Sequence, residues 1–314
     1  MRALLGLTLL GVGLCAGQEP ARIEVEASVD CAALFGPGVY EASGLTLAEG
    51  RLHVVFDNLA RVASVGQDLD PGSASLSPGR AGFSDYEGIA HDPETGALYV
   101  AVEAERVGRE QWRPRILQLD ARGEVQGSWS IPRDLTHDNK GVEGLCCLRR
   151  EGRAYLLALL EGNHGEGGDR GRERGHGRLL VLGATADGWA LERELALPPS
   201  AAFEDYAGID VRGERVAIVS QTSAALWLGE LGADWTLSEG VTLPFPRQPD
   251  GSLRFARVEG VAWLDDARLA LCSDQERPRD RGLGRAEQAL HLVRLVSAEP
   301  ARQGGLAGSL DGGS

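Results

Sequence analysis

Lysine is nearly missing from this chain. Lys140 is the single one, so the 32 basic side chains are otherwise arginine, set against 46 acidic ones. The net charge of −14 excludes the broad basic face that nucleic acid or an anionic membrane surface requires. Cations and neutral ligands fit better. No pair of cysteines has the CxxC spacing of a thiolate metal site. There is no GxSxG elbow, no phosphate-cradling glycine loop, and no Ser, His and acid set that reads as a triad. Beyond residue 17 no apolar run approaches the ~20 residues of a membrane span. Helical periodicity never persists long enough to define a helix.

The N-terminus is apolar. Arg2 precedes the run Ala3 to Leu10, and small residues Ala16-Gly17 precede polar Gln18-Glu19-Pro20. This is the pattern of a secretory signal peptide ending near Gly17. Cys15 raises a lipoprotein signal as a rival, but Leu14 is bulky where lipid attachment wants a small residue. Residues 1–17 are therefore expected to be a signal peptide and residues 18–297 one exported domain, periplasmic or extracellular. Residues 298–314, rich in Gly, Ser and Ala, read as a flexible tail. Cys31, Cys146, Cys147 and Cys272 then remain, and their spacing leaves the pairing undetermined. Buried thiols are the plainer reading for at least two of them.

Five times a strand-like run opens on a small or acidic residue followed by Gly and an aliphatic: Ser43-Gly44-Leu45, Glu87-Gly88-Ile89, Glu143-Gly144-Leu145, Ala207-Gly208-Ile209 and Glu259-Gly260-Val261. The glycines are 44, 56, 64 and 52 residues apart, which suits four-stranded propeller blades and is too long for most solenoid repeats. Each unit divides into strand-like runs separated by turn residues such as Asp92 to Gly96. The fifth unit lacks a fourth strand. The alternating run Arg22 to Val29 can supply it, closing the ring and removing a free sheet edge. The sequence thus predicts an all-β, five-bladed propeller; a sixth blade hidden in the long third repeat is the alternative.

In an antiparallel hairpin the start of the first strand lies beside the end of the second. One rim of the tunnel should therefore gather Ser43 with Asn58, Glu87 with Glu103, Glu143 with Glu161, Ala207 with Gln221, and Glu259 with Asp274. Three units are acidic at both positions, and the same three carry long connections at Glu105 to Pro114, Gly162 to Gly177 and Gln275 to Gln288. The second connection, rich in charge, reads as a flexible flap. Crowded carboxylates must take up protons, meet a basic side chain or share a cation. A hard dication with six to eight oxygen ligands, calcium first, suits Glu87, Glu143, Glu259, Asn58, Glu103, Glu161 and Asp274. The bland reading is a structural ring with Lys140, Arg254 and Arg257 as counterions. His137 and His164 could bring imidazoles to the same rim, although loop residues of this kind are most often only solvated. Tyr86 and Tyr206 are either rim aromatics or packed.

These motifs resemble a group of exported β-propellers, the SdiA-regulated family and the family with esterase-like activity of phytase. The resemblance rests on Ser43-Gly44-Leu45 with Phe56-Asp57-Asn58, on Asp85 to Ile89 with Val102-Glu103, and on Asn139 to Leu145 with Leu160-Glu161. It implies a calcium-associated or hydrolytic propeller. Two functions are expected. One is a calcium-dependent hydrolase of a phosphate ester, carboxylic ester or lactone that takes an oxygen-rich small molecule at the tunnel mouth. The other is a non-catalytic ligand- or protein-binding scaffold. Glycoside hydrolysis by paired carboxylates fits less well, because aromatics to stack on sugar total only 5%.

Overall fold

A computed structural model describes residues 21–78, 85–109, 111–120, 122–137, 140–255, 257–274 and 288–296. The expected signal peptide, the tail and nearly all of the connection at 275–288 lie outside the described residues.

The strands form five four-stranded antiparallel sheets. The first blade runs outward from the axis as β2 (Ala42–Ala48), β3 (Arg51–Phe56), β4 (Leu59–Gly66) and β5 (Ser75–Leu76). The second is β6 (Tyr86–His91), β7 (Leu98–Gly108), β8 (Gln111–Leu119) and β9 (Val125–Ser130). The third is β10 (Val142–Arg150), β11 (Arg153–Leu160), β12 (Arg178–Thr185) and β13 (Gly188–Ala196). The fourth is β14 (Ile209–Arg212), β15 (Arg215–Ser220), β16 (Ala225–Glu230) and β17 (Val241–Pro244). The fifth takes β18 (Val258–Trp263), β19 (Arg268–Ser273) and β20 (Ala289–Val296) from the end of the chain and β1 (Arg22–Asp30) from its start. β1 lies antiparallel to β20, with Arg22 opposite Val296 and Asp30 opposite Ala289. The expected closing strand is in place, and the extra length of the third repeat is an insert, not a sixth blade.

Burial follows from the stacking. Inner and middle strands are covered on both faces by the neighbouring blades and read as continuous apolar runs, as in Leu156 to Leu160 of β11. Outer strands such as β1 and β9 alternate more covered residues with exposed ones. Five apolar clusters fill the interfaces between consecutive blades, and one of them joins Leu52, Val54 and Phe56 of the first blade to Ala270, Cys272 and Leu290 of the fifth. A buried His291 braces the closing strand: its Nδ1 is 2.8 Å from Ser28 Oγ on β1 and its Nε2 2.9 Å from Ser273 Oγ on β19.

The signature glycines pack against the next blade. A methyl at Gly44 would overlap the Glu87 carbonyl, and one at Gly88 the backbone of Leu145. Around the ring, a Cβ would stand 2.9 Å from Ala207 O at Gly144, 2.5 Å from Glu259 O at Gly208 and 3.0 Å from Leu45 N at Gly260. Glycine is therefore required by close backbone approach at the axis.

Several local expectations change. The described residues of the connection at 105–114 are not a loop but continue β7 and β8 as a ribbon, with Glu105 opposite Arg113 and Gly108 opposite Gln111. The segment 162–177 is folded, with a 3-10 turn at Asn163–Gly165 and a short helix α2 at Gly168–Gly171. A further helix, α1 (Cys31–Phe35), follows β1. The sequence around Trp235 to Leu243 predicts a strand, but β17 begins only at Val241. Trp235 lies in the turn before it, and its ring packs 4.9 Å from Tyr155 beneath the Arg150 guanidinium. The four cysteines among the described residues are free thiols, and burial pushes Cys31 and Cys147 up to about 12.

Candidate functional site

Each signature residue sits on a β-bulge. Strand registers shift between Ala42 and Gly44, Tyr86 and Ile89, Val142 and Gly144, and Val258 and Gly260. In the fourth blade Ala207 and Gly208 both bond Val219. A bulge leaves one residue without a cross-strand partner and re-aims its side chain. Here it turns Glu87, Glu143 and Glu259 close enough to feel one another's charge, around a narrow axial channel lined by Ser43, Glu143 and the signature glycines.

The partner position is fixed by a repeated backbone bond. The N–H of Asp57 donates to Glu41 O (2.9 Å), that of Glu103 to Asp85 O (3.3 Å), that of Glu161 to Gly141 O (3.1 Å) and that of Asp274 to Arg257 O (3.0 Å). The first-blade equivalent is therefore Asp57, one residue before the expected Asn58. Asn58 is exposed, and its amide caps the chain at Glu41 N (3.2 Å) and Val39 O (3.1 Å), apart from the carboxylate group. The first blade thus adds an acid to the mouth.

The carboxylates divide into two groups. On the fifth blade, Asp274 is buried and pairs with the Arg257 guanidinium, whose Nη2 also lies 3.6 Å from Glu259; Gln221 Nε2 donates to Glu259. Arg254 is exposed and is not part of this network. On the second and third blades, Glu103, Glu143 and Glu161 each place a ligand atom within 4.8 Å of the other two. Lys140 forms an ion pair with Glu161, and among the described residues it is the cation paired with this group.

Electrostatics reflects the crowding. Burial, then the charges of Glu259 and Glu103, hold Glu87 well above the carboxylate range. Burial, then Glu87 and Glu161, does the same to Glu143. Glu259 is also raised well above that range, by burial and Asp274 against the opposing Arg257. Burial lifts Glu161 to about 7 despite Lys140, and burial with Glu41 and Asp85 lifts Asp57 to about 6. Raised carboxyl values on one rim mean that the charges are not fully compensated by protein. A dication would relieve them. The donors at Glu103, Glu143 and Glu161 are all carboxylate oxygens, which fits a hard, oxygen-seeking ion and not a thiophilic one.

The other singled-out residues have packing roles. Tyr86 and Tyr206 are buried, and the Tyr206 hydroxyl donates to Ala201 O (2.9 Å). Asp205 accepts from Ser220 Oγ (2.5 Å) and Thr222 N (3.0 Å) and closes a hairpin end. His137 is exposed.

The comparisons agree with the architecture. A phytase-like family model, described as esterase-like activity of phytase, matches residues 57–217, just over half of the 314 residues. No curated protein matches significantly. A glutaminyl cyclase from Myxococcus xanthus superposes with TM-score 0.54 at 12% identity over 90% of this chain and 100% of that one. A GH43 β-xylosidase/α-arabinofuranosidase from a compost microbial metagenome does so with TM-score 0.52 at 10% identity, over 87% of this chain and 94% of the other. At these identities the likeness is one of fold.

Proposed function

Because the chain belongs to the phytase-like family, we propose that it is an exported, divalent-cation-dependent hydrolase acting on an oxygen-rich ester, phosphate ester or lactone at the tunnel mouth. The observation that carries this reading is the convergence of Glu103, Glu143 and Glu161 from two blades onto one point. Calcium is the expected ion. Glu103, Glu143 and Glu161 would hold it, with Glu87 behind them. When bound it would supply Lewis-acid polarisation of an ester or phosphoryl oxygen. Lys140 orients Glu161 and keeps positive charge beside the mouth, where it can attract the oxygen of a substrate acyl or phosphoryl group. The acidic wall disfavours polyanions that arrive without bound cations, which favours small esters and lactones.

The structural reading applies to the fifth blade. There Asp274 is paired with Arg257 of its own blade and Glu259 accepts from Gln221 of the fourth blade, so these two carboxylates are engaged by protein donors and the ion is assigned to the second and third blades. The N-terminal apolar run supports export.

Metal analysis of the purified protein, with thermal melts in chelator and after calcium is restored, tests the reading. Bound calcium, a melting temperature that falls in chelator and recovers, and turnover of at least one ester or lactone in a substrate panel are expected. Glu143→Gln should weaken the ion at least tenfold, whereas Glu259→Gln should spare it. Absence of metal, with no response to calcium, would overturn the proposal in favour of a binding scaffold.

A further inference from the structure

The insert between β11 and β12 holds a second set of ligands, chemically unlike the first. His164, Glu173 and His176 each place a ligand atom within 4.8 Å of the other two. The His164 and His176 rings stack at 3.9 Å with 20° between their planes, and His164 Nε2 lies 3.1 Å from Glu173 Oε2. Nothing in the rim chemistry uses these side chains.

The backbone that presents them is firmly built. Asn163 is fully buried. Its Nδ2 donates to the carbonyls of Gly171 (3.1 Å), Phe203 (3.1 Å) and Glu204 (3.0 Å), and its Oδ1 accepts the His176 N–H (2.9 Å). The His164 N–H donates to His176 O (2.8 Å), which sets the two histidines side by side. His164 itself occupies the left-handed region at φ 58, an uncommon conformation for a residue with a Cβ.

We propose that His164, Glu173 and His176 bind a borderline transition-metal dication, zinc first, at a site separate from the carboxylate group. Two imidazoles and one carboxylate form the donor set that suits zinc and its neighbours, whereas calcium takes oxygens alone. The spacing agrees. Ligand atoms 2.0–2.1 Å from a tetrahedral ion stand about 3.3 Å apart, close to the 3.1 Å between His164 Nε2 and Glu173 Oε2. The His176 ring must rotate out of the stack for its lone pair to converge with that of His164, and its exposed position leaves room for that. Three protein ligands leave one coordination position, and it faces solvent because Glu173 and His176 are exposed. The ion would therefore exchange with the medium and accept an oxygen or nitrogen ligand from outside. His164 lies three residues beyond Glu161, so the two ion sites would be neighbours along the chain.

The test uses the full chain stripped with chelator and titrated with zinc by calorimetry, then with cobalt(II) as a spectroscopic substitute. One equivalent of zinc should bind, and the cobalt form should show visible d–d bands of four-coordinate strength. Proton spectra of the cobalt form should carry two exchangeable, hyperfine-shifted imidazole N–H signals. The double variant His164→Asn and His176→Gln should bind zinc at least ~100-fold more weakly; asparagine at 164 tolerates the left-handed backbone. Glu143→Gln should leave zinc affinity unchanged while it weakens calcium, which separates this proposal from that of the rim. No zinc binding, loss of zinc in Glu143→Gln but not in the double variant, or a cobalt form without shifted imidazole protons would each overturn it. The last measurement needs no variant and decides the matter if the double variant does not fold.

Discussion

Replacing Glu161 with glutamine should change the pH dependence of stability in a calculable way. In the folded protein this carboxyl is lifted from 4.5 to about 7, by burial against the opposing Lys140. Between those two values the folded state holds a proton that the unfolded chain has released. Stability therefore falls as pH rises through this window, and the loss is complete above it. A rise of about two and a half pH units corresponds to about 3 kcal/mol at 1.36 kcal/mol per unit. The histidines oppose this trend. His53 and His291 are depressed to about 4, chiefly by burial, and their contribution to stability grows as pH rises to ~6.5. The useful quantity is therefore the difference between Glu161→Gln and the native chain, from which the histidines cancel. Urea unfolding in chelator at pH 5, 6, 7 and 8 would measure it. From pH 5 to pH 8 the variant should gain about 2.5 kcal/mol relative to the native protein, the remainder of the effect lying below pH 5, or ~5 °C in melting temperature at about 2 °C per kcal/mol. Relief of Glu143, which Glu161 also raises, can only enlarge the gain. A difference that stays constant across the four pH values would refute the claim that the rim charges are uncompensated.

Gly88→Ala should cost ~3 kcal/mol or more in urea unfolding, because the new methyl would overlap the backbone of Leu145; Gly96→Ala, where φ is +72 but the space is open, should cost only about 1 kcal/mol. Arg257→Met leaves Asp274 buried beside Glu259 without its guanidinium and should destabilise by about 3–5 kcal/mol at neutral pH, read as a lower urea midpoint. Asn163→Ala removes the bonds to Gly171, Phe203, Glu204 and His176; limited proteolysis should then cut within residues 164–177 at least tenfold faster, with a loss of ~2–3 kcal/mol from unsatisfied buried carbonyls.

The five signatures made the blades legible because one physical demand, backbone contact at the axis, recurs with the same residue. The closing strand was legible because Arg22 to Val29 alternates and the fifth unit is one strand short. Asp57 was missed by one position. Counting from strand ends cannot see the backbone bond from Asp57 N to Glu41 O that places it level with Glu103 and Glu161. The bulges were also hidden, since a Glu-Gly pair reads the same whether or not the register shifts. The polar, glycine-rich composition of the insert points to flexibility. Its order comes from one buried side chain, Asn163, whose partners Phe203 and Glu204 lie about forty residues away.

The contact of each signature glycine with the next blade also bears on how the molecule loosens. In a linear stack of repeats the end units have one neighbour and fray first. Here the series of contacts runs from Gly44 through Gly260 and returns to Leu45, so no blade is terminal and releasing any one of them breaks two interfaces. Partial opening is thereby made nearly as costly as opening throughout, and the weakest seam moves to the outside of the fifth blade, where β1 alone joins the two ends of the chain. Unravelling should start by peeling that strand, and the carboxylate mouth on the second and third blades, far along the ring from the seam, should be among the last parts to lose its shape.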